Sequence, residues 1–268
     1  MELTETQFYV LVRNCALKIS LSKYKVLLTG LLFLYTHFAI GQIEEGETIF
    51  GIQFKGIVPV SILNAGEQTV RNDSIAFTLS SASGLSFGGV LRHNFTRMFT
   101  IETGIHYVSR RYHFNFKQNI QNIDDNSSVN LVSYEIPVQW LLYIRLGEQF
   151  YMNAIFGVSV DFYPSDVTNT RENYAYIMVR KSWINLALIA SIGFEYRTKD
   201  AGYFYIGGSV HYPLSDIGTL RVSYFPDPSD LSDFVNLDQK VSGSYISVDV
   251  RYFFKKNKEK KKQNINRK

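Results

Sequence analysis

The stretch "VNLVSYEIPVQWLLYIRLG", residues 129–147, alternates between apolar and polar side chains with a period of two. The apolar positions are Val132, Tyr134, Ile136, Val138, Trp140, Leu142 and Ile144. The opposite positions include Ser133, Glu135, Gln139, Tyr143 and Arg145. Successive side chains of a β-strand point to opposite faces, so this period predicts a long strand whose two faces meet different surroundings.

Similar alternation recurs along the chain, joined by short and long connections in turn. The predicted strands span residues 49–60, 83–95, 99–116, 129–146, 150–163, 182–198, 203–213 and 241–254. Short turns fall at 96–98, 147–149 and 199–202, and long loops fall at 61–82, 117–128, 164–181 and 214–240. Short turns at one end and long loops at the other are typical of outer-membrane barrels. We therefore predict an all-β, transmembrane, antiparallel up-and-down β-barrel of about eight strands. The count rises to ten if "YAYIMV" (174–179) and "TLRVSYF" (219–225) join the wall.

The composition of the polar face predicts that this face lines the lumen. Most strand glycines fall on it, and an eight-stranded barrel has little interior space for side chains. It also carries charges of both signs, as enclosed charges require. The predicted lumenal network, which we interpret as structural, consists of Lys55, Arg92, Glu102, His106, Arg110, Glu135, Arg145, Asp161, Glu195, Arg197, Asp249 and Arg251. The alternative is a secreted soluble barrel with its apolar face inside.

The ends of the chain differ from its body. Lys18, Lys23 and Lys25 precede an apolar run at 26–35, with Gly41 at the end of a small-residue cleavage pattern, which predicts a signal peptide over 1–41. The barrel would then occupy 42–254. Residues 255–268 carry eight basic side chains and one acidic side chain, and we expect a disordered periplasmic tail. A contact of this tail with an acidic partner or anionic headgroups is the alternative. The single cysteine, Cys15, lies in the leader, so disulfides are not expected.

One pair of residues is a candidate for catalytic chemistry. Glu102 and His106 are four residues apart on the same face, which suits either a catalytic pair or a hydrogen-bonded filling of the lumen. Asp227, Asp230, Asp233 and Asp238 miss the spacing of an EF-hand loop. Nucleotide-binding fingerprints and CxxC pairs are absent from the sequence. We predict no catalytic residues, no cofactor, no metal and no nucleic-acid partner.

Three segments resemble the PorT-like outer membrane protein beta-barrel families of Bacteroidetes. They are "SYEIPVQWLLYIRLGEQFYMNAIFGVSVDFY" (133–163), "GIQFKGIVPVS" (51–61) and "GSYISVDVRYFF" (243–254). The resemblance covers about residues 49–254, although the chain departs from the usual ending because a basic tail follows Phe254. It implies an outer-membrane location. For PorT itself it implies association with the type IX secretion and gliding apparatus.

Together these observations predict a non-enzymatic outer-membrane scaffold or assembly factor, of which a PorT-like secretion or gliding component is one form. The expected partners are outer-membrane lipid and lipopolysaccharide, the barrel-insertion machinery and secretion-system proteins. A narrow porin-like channel for small solutes is the first alternative. A barrel enzyme that modifies lipid is the second.

Overall fold

The structure is a computed structural model that describes residues 46–58, 66–72, 75–96, 99–171, 173–226 and 234–255. These residues form fourteen strands: β1 Thr48–Val58, β2 Gln68–Asn72, β3 Ile75–Ser81, β4 Gly84–Asn94, β5 Phe99–Gln118, β6 Ile123–Arg145, β7 Phe150–Phe162, β8 Val167–Thr170, β9 Tyr174–Arg180, β10 Ile184–Arg197, β11 Tyr203–Pro213, β12 Gly218–Tyr224, β13 Val235–Val241 and β14 Tyr245–Phe253. Within the described ranges, no helix is long and apolar enough to cross a membrane.

Eight of these strands close a ring in the order β1, β4, β5, β6, β7, β10, β11 and β14, with β14 pairing back to β1. Every neighbouring pair in the ring is antiparallel. The prediction of an eight-stranded up-and-down barrel is confirmed. The predicted signal peptide (1–41) and residues 256–268 of the predicted tail lie outside the described residues.

The outer face of the ring is apolar along its whole height. Ile105, Ile192 and Ile206 expose 63%, 59% and 57% of their surface. Isoleucine in the core of a soluble protein is almost completely buried. Aromatic side chains pair near both ends of this face. Near the turns, Phe50 stacks on Phe254 and Phe150 stacks on Phe194. Near the loops, the ring of Tyr107 contacts the rings of both Phe87 and Tyr134. An apolar band bounded by aromatic rings is the surface that a transmembrane barrel presents to lipid.

Pro137 lies inside β6, a position at which proline often marks a β-bulge, but no residue is inserted there. Thr103 pairs with Val138 and His106 with Glu135, so the same number of residues separates the two pairs on each strand. Only the two pairs between them are missing from the β5–β6 ladder. The proline carbonyl accepts a hydrogen bond from the Thr103 hydroxyl at 2.8 Å. The missing proline N–H therefore interrupts the ladder without changing its register.

A second structure, which we call the β-sandwich, covers the loop end of the barrel. Its first sheet consists of β2, β3 and the loop-side ends of β5 and β6, and its second sheet runs β13, β12, β9 and β8. The sheets meet at both edges, where β13 lies against β2 and β8 lies against β6. Between them lies a buried core of Ile75, Phe77, Leu79, Tyr112, Phe114, Phe116, Val129, Leu131, Tyr163, Tyr174, Tyr176, Met178, Ile217, Leu220, Val222, Tyr224, Leu237 and Val241.

The polarity of β5 and β6 reverses where these strands leave the barrel and enter the β-sandwich. In the barrel part of β5 the inward side chains include Glu102, His106 and Arg110, and the outward ones include Ile105. Above Arg110 the inward side chains are Tyr112, Phe114 and Phe116, and the outward ones are Arg111, His113, Asn115 and Lys117. In β6 the outward series changes from Val132 and Tyr134 to Asn130, Ser128, Asn126 and Asp124. The alternation itself continues, so the reversal reflects a change of surroundings from lipid to water.

The sequence prediction was wrong about the long connections. The segments at 61–82, 164–181 and 214–240 contain β2, β3, β8, β9, β12 and β13 instead of being loops alone. Most of the predicted loop at 117–128 continues β5 and β6 into a four-residue turn. The segments "YAYIMV" and "TLRVSYF" do form strands, but they pair with each other in the second sheet of the β-sandwich. The barrel wall therefore stays at eight strands.

Candidate functional site: the charged lumen

The structure places every predicted network residue in the ring strands, and ten of the twelve are buried. The two exceptions are Arg145 and Arg197, which lie near the turns and are partly exposed; the Arg197 side chain keeps only 12% of its surface exposed. Arg145 donates from Nε to the Gly147 carbonyl at 2.9 Å. Lys55 lies opposite Asp249 in the β1–β14 ladder.

Six charged side chains at the turn end form what we call the turn-side network: Arg92, Glu102, Glu195, Arg197, Asp249 and Arg251. Arg92 joins two carboxylates, with Nη1 2.6 Å from Glu195 Oε2 and Nη2 2.9 Å from Glu102 Oε2. Arg197 Nε donates to the other oxygen of Glu195 at 2.6 Å. Arg251 pairs with both Glu102 and Asp249. Three arginines thus face three carboxylates, so the network is balanced in charge.

Aromatic rings complete the surroundings of these arginines. The Arg92 guanidinium carbon lies 3.7 Å from the centre of the Phe253 ring, and that of Arg251 lies 4.6 Å from the Tyr205 ring. Arg197 lies 4.3 Å from the ring of Tyr151. Stacking on ring faces stabilises a cation that has lost its water, and planar guanidinium suits it better than ammonium does. The network is therefore packed as well as paired.

Glycine makes room for one of these rings. A Cβ atom at Gly193 or at Gly207 would meet the Tyr205 hydroxyl at less than 3 Å. The two glycines are directly opposite each other on β10 and β11. Any larger residue would displace Tyr205, and with it the ring beneath Arg251. This is the packing reason for glycine on the inward face of a narrow barrel.

A second group, which we call the His211 cluster, lies at the loop end of the lumen and consists of Arg110, Glu135, Asp161, His211 and Tyr245. Arg110 Nη2 donates to Glu135 Oε1 at 2.8 Å, and the Tyr245 hydroxyl lies 2.9 Å from Glu135 Oε2. His211 Nε2 lies 3.1 Å from Asp161 Oδ2 and 3.6 Å from Glu135 Oε1. The sequence placed Arg110, Glu135 and Asp161 on the inward face, but only the strand register shows that they meet His211 and Tyr245.

The candidate catalytic pair is not brought together. The partners of Glu102 among the described side chains are Arg92 and Arg251, and no hydrogen bond in the described chain joins Glu102 to His106. His106 instead lies opposite Glu135 in the β5–β6 ladder and packs over Gly88 and Gly104.

The rejected calcium candidates are only partly described. Asp227, Asp230 and Asp233 lie outside the described residues. Asp238 accepts two hydrogen bonds from Arg221, at 2.7 and 2.8 Å. These bonds hold the pKa of the Asp238 carboxyl below its usual value, and its charge is matched by Arg221.

The outer face of the β-sandwich has a polar depression that the sequence did not reveal. This open depression, of about 840 Å³, is lined by small polar side chains and by charged ones, among them Thr69, Thr78, Asn115, Ser128, Glu67, Arg71, Lys117 and Arg171. The depression lies on the outside of the first sheet. None of its lining residues belongs to the turn-side network. It can offer hydrogen bonds to a partner at the loop end of the molecule.

Comparisons with known proteins agree with this architecture. Residues 50–218 match the family described as "Outer membrane protein beta-barrel domain", and the chain belongs to that family. The protein is thus an outer-membrane β-barrel protein, located in the outer membrane. Comparison with curated protein sequences gives no significant match.

Solved structures of similar architecture share little sequence with the chain. The outer membrane protein OprG from Pseudomonas aeruginosa is 15% identical with a TM-score of 0.47, covering 80% of this chain and 98% of its own. The outer membrane protease OmpT from Escherichia coli is 8% identical with a TM-score of 0.33, covering 77% and 93%. An outer membrane channel from Pseudomonas putida F1 is 11% identical with a TM-score of 0.25, covering 80% and 97%. Likenesses of this size carry no argument about function.

The turn-side network predicts a large effect of removing its central arginine. Arg92→Met leaves Glu102 and Glu195 with one arginine partner each in a buried site, so we expect a loss of about 3–5 kcal/mol in the free energy of unfolding. Urea titration of the protein in lipid vesicles measures it. Arg145→Met, at a half-buried position, is the matched control and should lose less than about 1 kcal/mol. Equal losses in the two variants would contradict the importance of the network.

Proposed function

We propose that the protein is a non-enzymatic outer-membrane scaffold whose lumen is closed and whose β-sandwich is presented at the cell surface. The observation that carries the proposal is the apolar core of the β-sandwich, which lies directly over the loop end of the barrel. Long connections of outer-membrane barrels lie on the outside of the cell, which supports a surface position for the β-sandwich. A structured surface domain on a closed barrel suits binding and assembly.

Two layers obstruct any path through the lumen. The turn-side network fills the periplasmic half with paired charges that are almost fully buried. Tyr163 and Ile217, which are 1% and 2% exposed, belong to the core above the His211 cluster. An ion would have to separate buried pairs and then cross an apolar core. Both steps are energetically unfavourable, which supports a scaffold over a channel.

The geometry also supports the absence of an enzymatic role. Glu102 is held by two arginines, and His106 lies apart from it, so a general acid–base pair at these residues lacks the required hydrogen-bond contact. We propose that the lumenal charges hold the strands together.

Partners of three kinds fit this proposal. The apolar belt suits lipid, and the outward Arg111 and Lys117 above it suit the anionic groups of lipopolysaccharide. The last strand ends next to Phe254, an aromatic residue suited to recognition by the barrel-insertion machinery.

The polar depression of the β-sandwich suits a protein partner, and the sequence resemblance to PorT-like proteins suggests a component of the type IX secretion and gliding apparatus. Nucleic acid has no role in this proposal.

Conductance tests the closed lumen. Purified protein in planar lipid bilayers should carry no steady ionic current, because the paired charges and the apolar core leave no hydrated path. An open porin added afterwards to the same bilayer is the control for sensitivity. A reproducible current from the pure protein would contradict the closed scaffold and favour the narrow channel.

Crosslinking in intact cells tests the assembly role. A photo-reactive residue placed at Ser128, on the outer face of the β-sandwich, should capture a protein of the secretion or gliding apparatus. The same residue at Ile192, in the middle of the lipid-facing belt, is the matched control and should capture lipid. Identification of the product by mass spectrometry decides the question. If Ser128 captures only lipid or lipopolysaccharide, the assembly role is wrong.

A further inference from the structure

Three side chains with metal-binding atoms converge at the centre of the His211 cluster. Glu135 lies on β6, Asp161 on β7 and His211 on β11, and one ligand atom from each lies within 4.8 Å of the other two. All three are buried, at 1%, 0% and 1% exposure. We propose that these residues bind a divalent metal ion of the zinc type.

The distances suit a tetrahedral ion. Zinc binds imidazole nitrogen and carboxylate oxygen at about 2.0–2.2 Å, which places neighbouring ligand atoms of a tetrahedron about 3.3–3.6 Å apart. Nε2 of His211 lies 3.1 Å from Asp161 Oδ2 and 3.6 Å from Glu135 Oε1. Small side-chain adjustments would complete three bonds. The imidazole favours zinc over magnesium or calcium, which prefer sets made of oxygen alone.

Unsatisfied polar atoms are the second observation that points to a ligand. Neither ring nitrogen of His211 has a hydrogen-bond partner among the described residues, and the same is true of Asp161 Oδ2. Nε2 and Oδ2 are 3.1 Å apart, which is close enough for a hydrogen bond, yet they are not aligned for one. Buried polar atoms without partners are costly and therefore rare. A metal ion between these atoms would satisfy both.

Neighbouring residues already orient the carboxylate ligands. Ser159 Oγ donates to Asp161 Oδ1 at 2.6 Å, which leaves Oδ2 as the free oxygen. Tyr245 and Arg110 donate to Glu135 at 2.9 and 2.8 Å. The Tyr245 ring also stacks on the His211 ring, with centroids 4.6 Å apart and planes 11° apart. Such supporting contacts fix ligand geometry in metal sites.

The charge of the cluster also accommodates a cation. Within the cluster, two carboxylates, those of Glu135 and Asp161, face one arginine, Arg110. A divalent ion between these carboxylates would attract both and would contact the buried atoms that have no hydrogen-bond partner.

The ion would have a structural role. It would join β6, β7 and β11 just below the β-sandwich, in addition to the strand ladders and the hydrogen bonds of the cluster. Since the lumen is obstructed on both sides of the cluster, the ion would enter while the barrel folds. This site is independent of the proposed scaffold role, because a channel or an enzyme with the same lumen would hold the same ion.

Metal content after refolding tests the site. The full chain is unfolded in urea with a chelator, refolded in detergent with excess zinc, freed of unbound ion and measured by plasma mass spectrometry. We expect about one zinc ion per chain in the natural protein and at least about a tenfold lower content in Asp161→Asn and His211→Ala. His106→Ala removes another buried lumenal histidine outside the cluster and should keep the ion.

The second measurement is the melting temperature. It distinguishes a variant that has lost the metal site from a variant that has failed to fold. Zinc present during refolding should raise the melting temperature of the natural protein and of His106→Ala but not that of Asp161→Asn, which retains the shape of the side chain. Heat-dependent mobility on gels selects the folded fraction before each measurement. Refolded natural protein with less than about a tenth of an ion per chain would overturn the proposal. Equal zinc content in the natural protein and Asp161→Asn would also overturn it.

Discussion

The structure depends on one constraint: the outward side chains of each stretch of strand must match the medium around it, which is lipid along the barrel and water along the β-sandwich. Where the medium is lipid, the outward face of β5 carries Ile105 and Tyr107 and the inward face carries charges. Where the medium is water, the outward face carries Asn115 and Lys117 and the inward face carries Phe114 and Phe116. One continuous pair of strands thus builds a transmembrane barrel and a water-exposed sandwich, and the change between Arg110 and Tyr112 marks the boundary.

The same constraint explains why the lumen is so fully paired. A narrow barrel that must be apolar outside has polar side chains inside, and these side chains lose their water when the ring closes. Arg92 shows the solution, because two carboxylates and a phenyl ring surround its guanidinium group. At the loop end, His211 meets two carboxylates, and both of its ring nitrogens lack a hydrogen-bond partner among the described residues. Closure of the lumen and cohesion of the wall are two results of the same pairing.

Much of the barrel could be predicted from the sequence because a period of two survives over long strands. The alternation at 129–147 gave the parity of β6, and parity put Glu135 and Asp161 on the inward face. The β-sandwich was missed for two physical reasons. Strands such as β2 and β8 have only five and four residues, too few for a period to be recognised. The reversal of polarity also gave the loop-side ends of β5 and β6 the polar composition of a loop. Contacts such as that of His211 with Asp161 depend on ring closure and register, which parity does not determine.

The central claim is that the polarity reversal of β5 marks the membrane boundary. Cys15 is the single natural cysteine, so replacing it by serine and placing one cysteine in turn at each outward position of β5 gives a clean scan. The positions are Ile105, Tyr107, Ser109, Arg111, His113 and Asn115. The account predicts that a membrane-impermeant maleimide labels a cysteine at position 111, 113 or 115 in intact cells. A cysteine at position 105 or 107 should react only with a lipid-soluble reagent. Equal labelling at Ile105 and Asn115 by the impermeant reagent would contradict it.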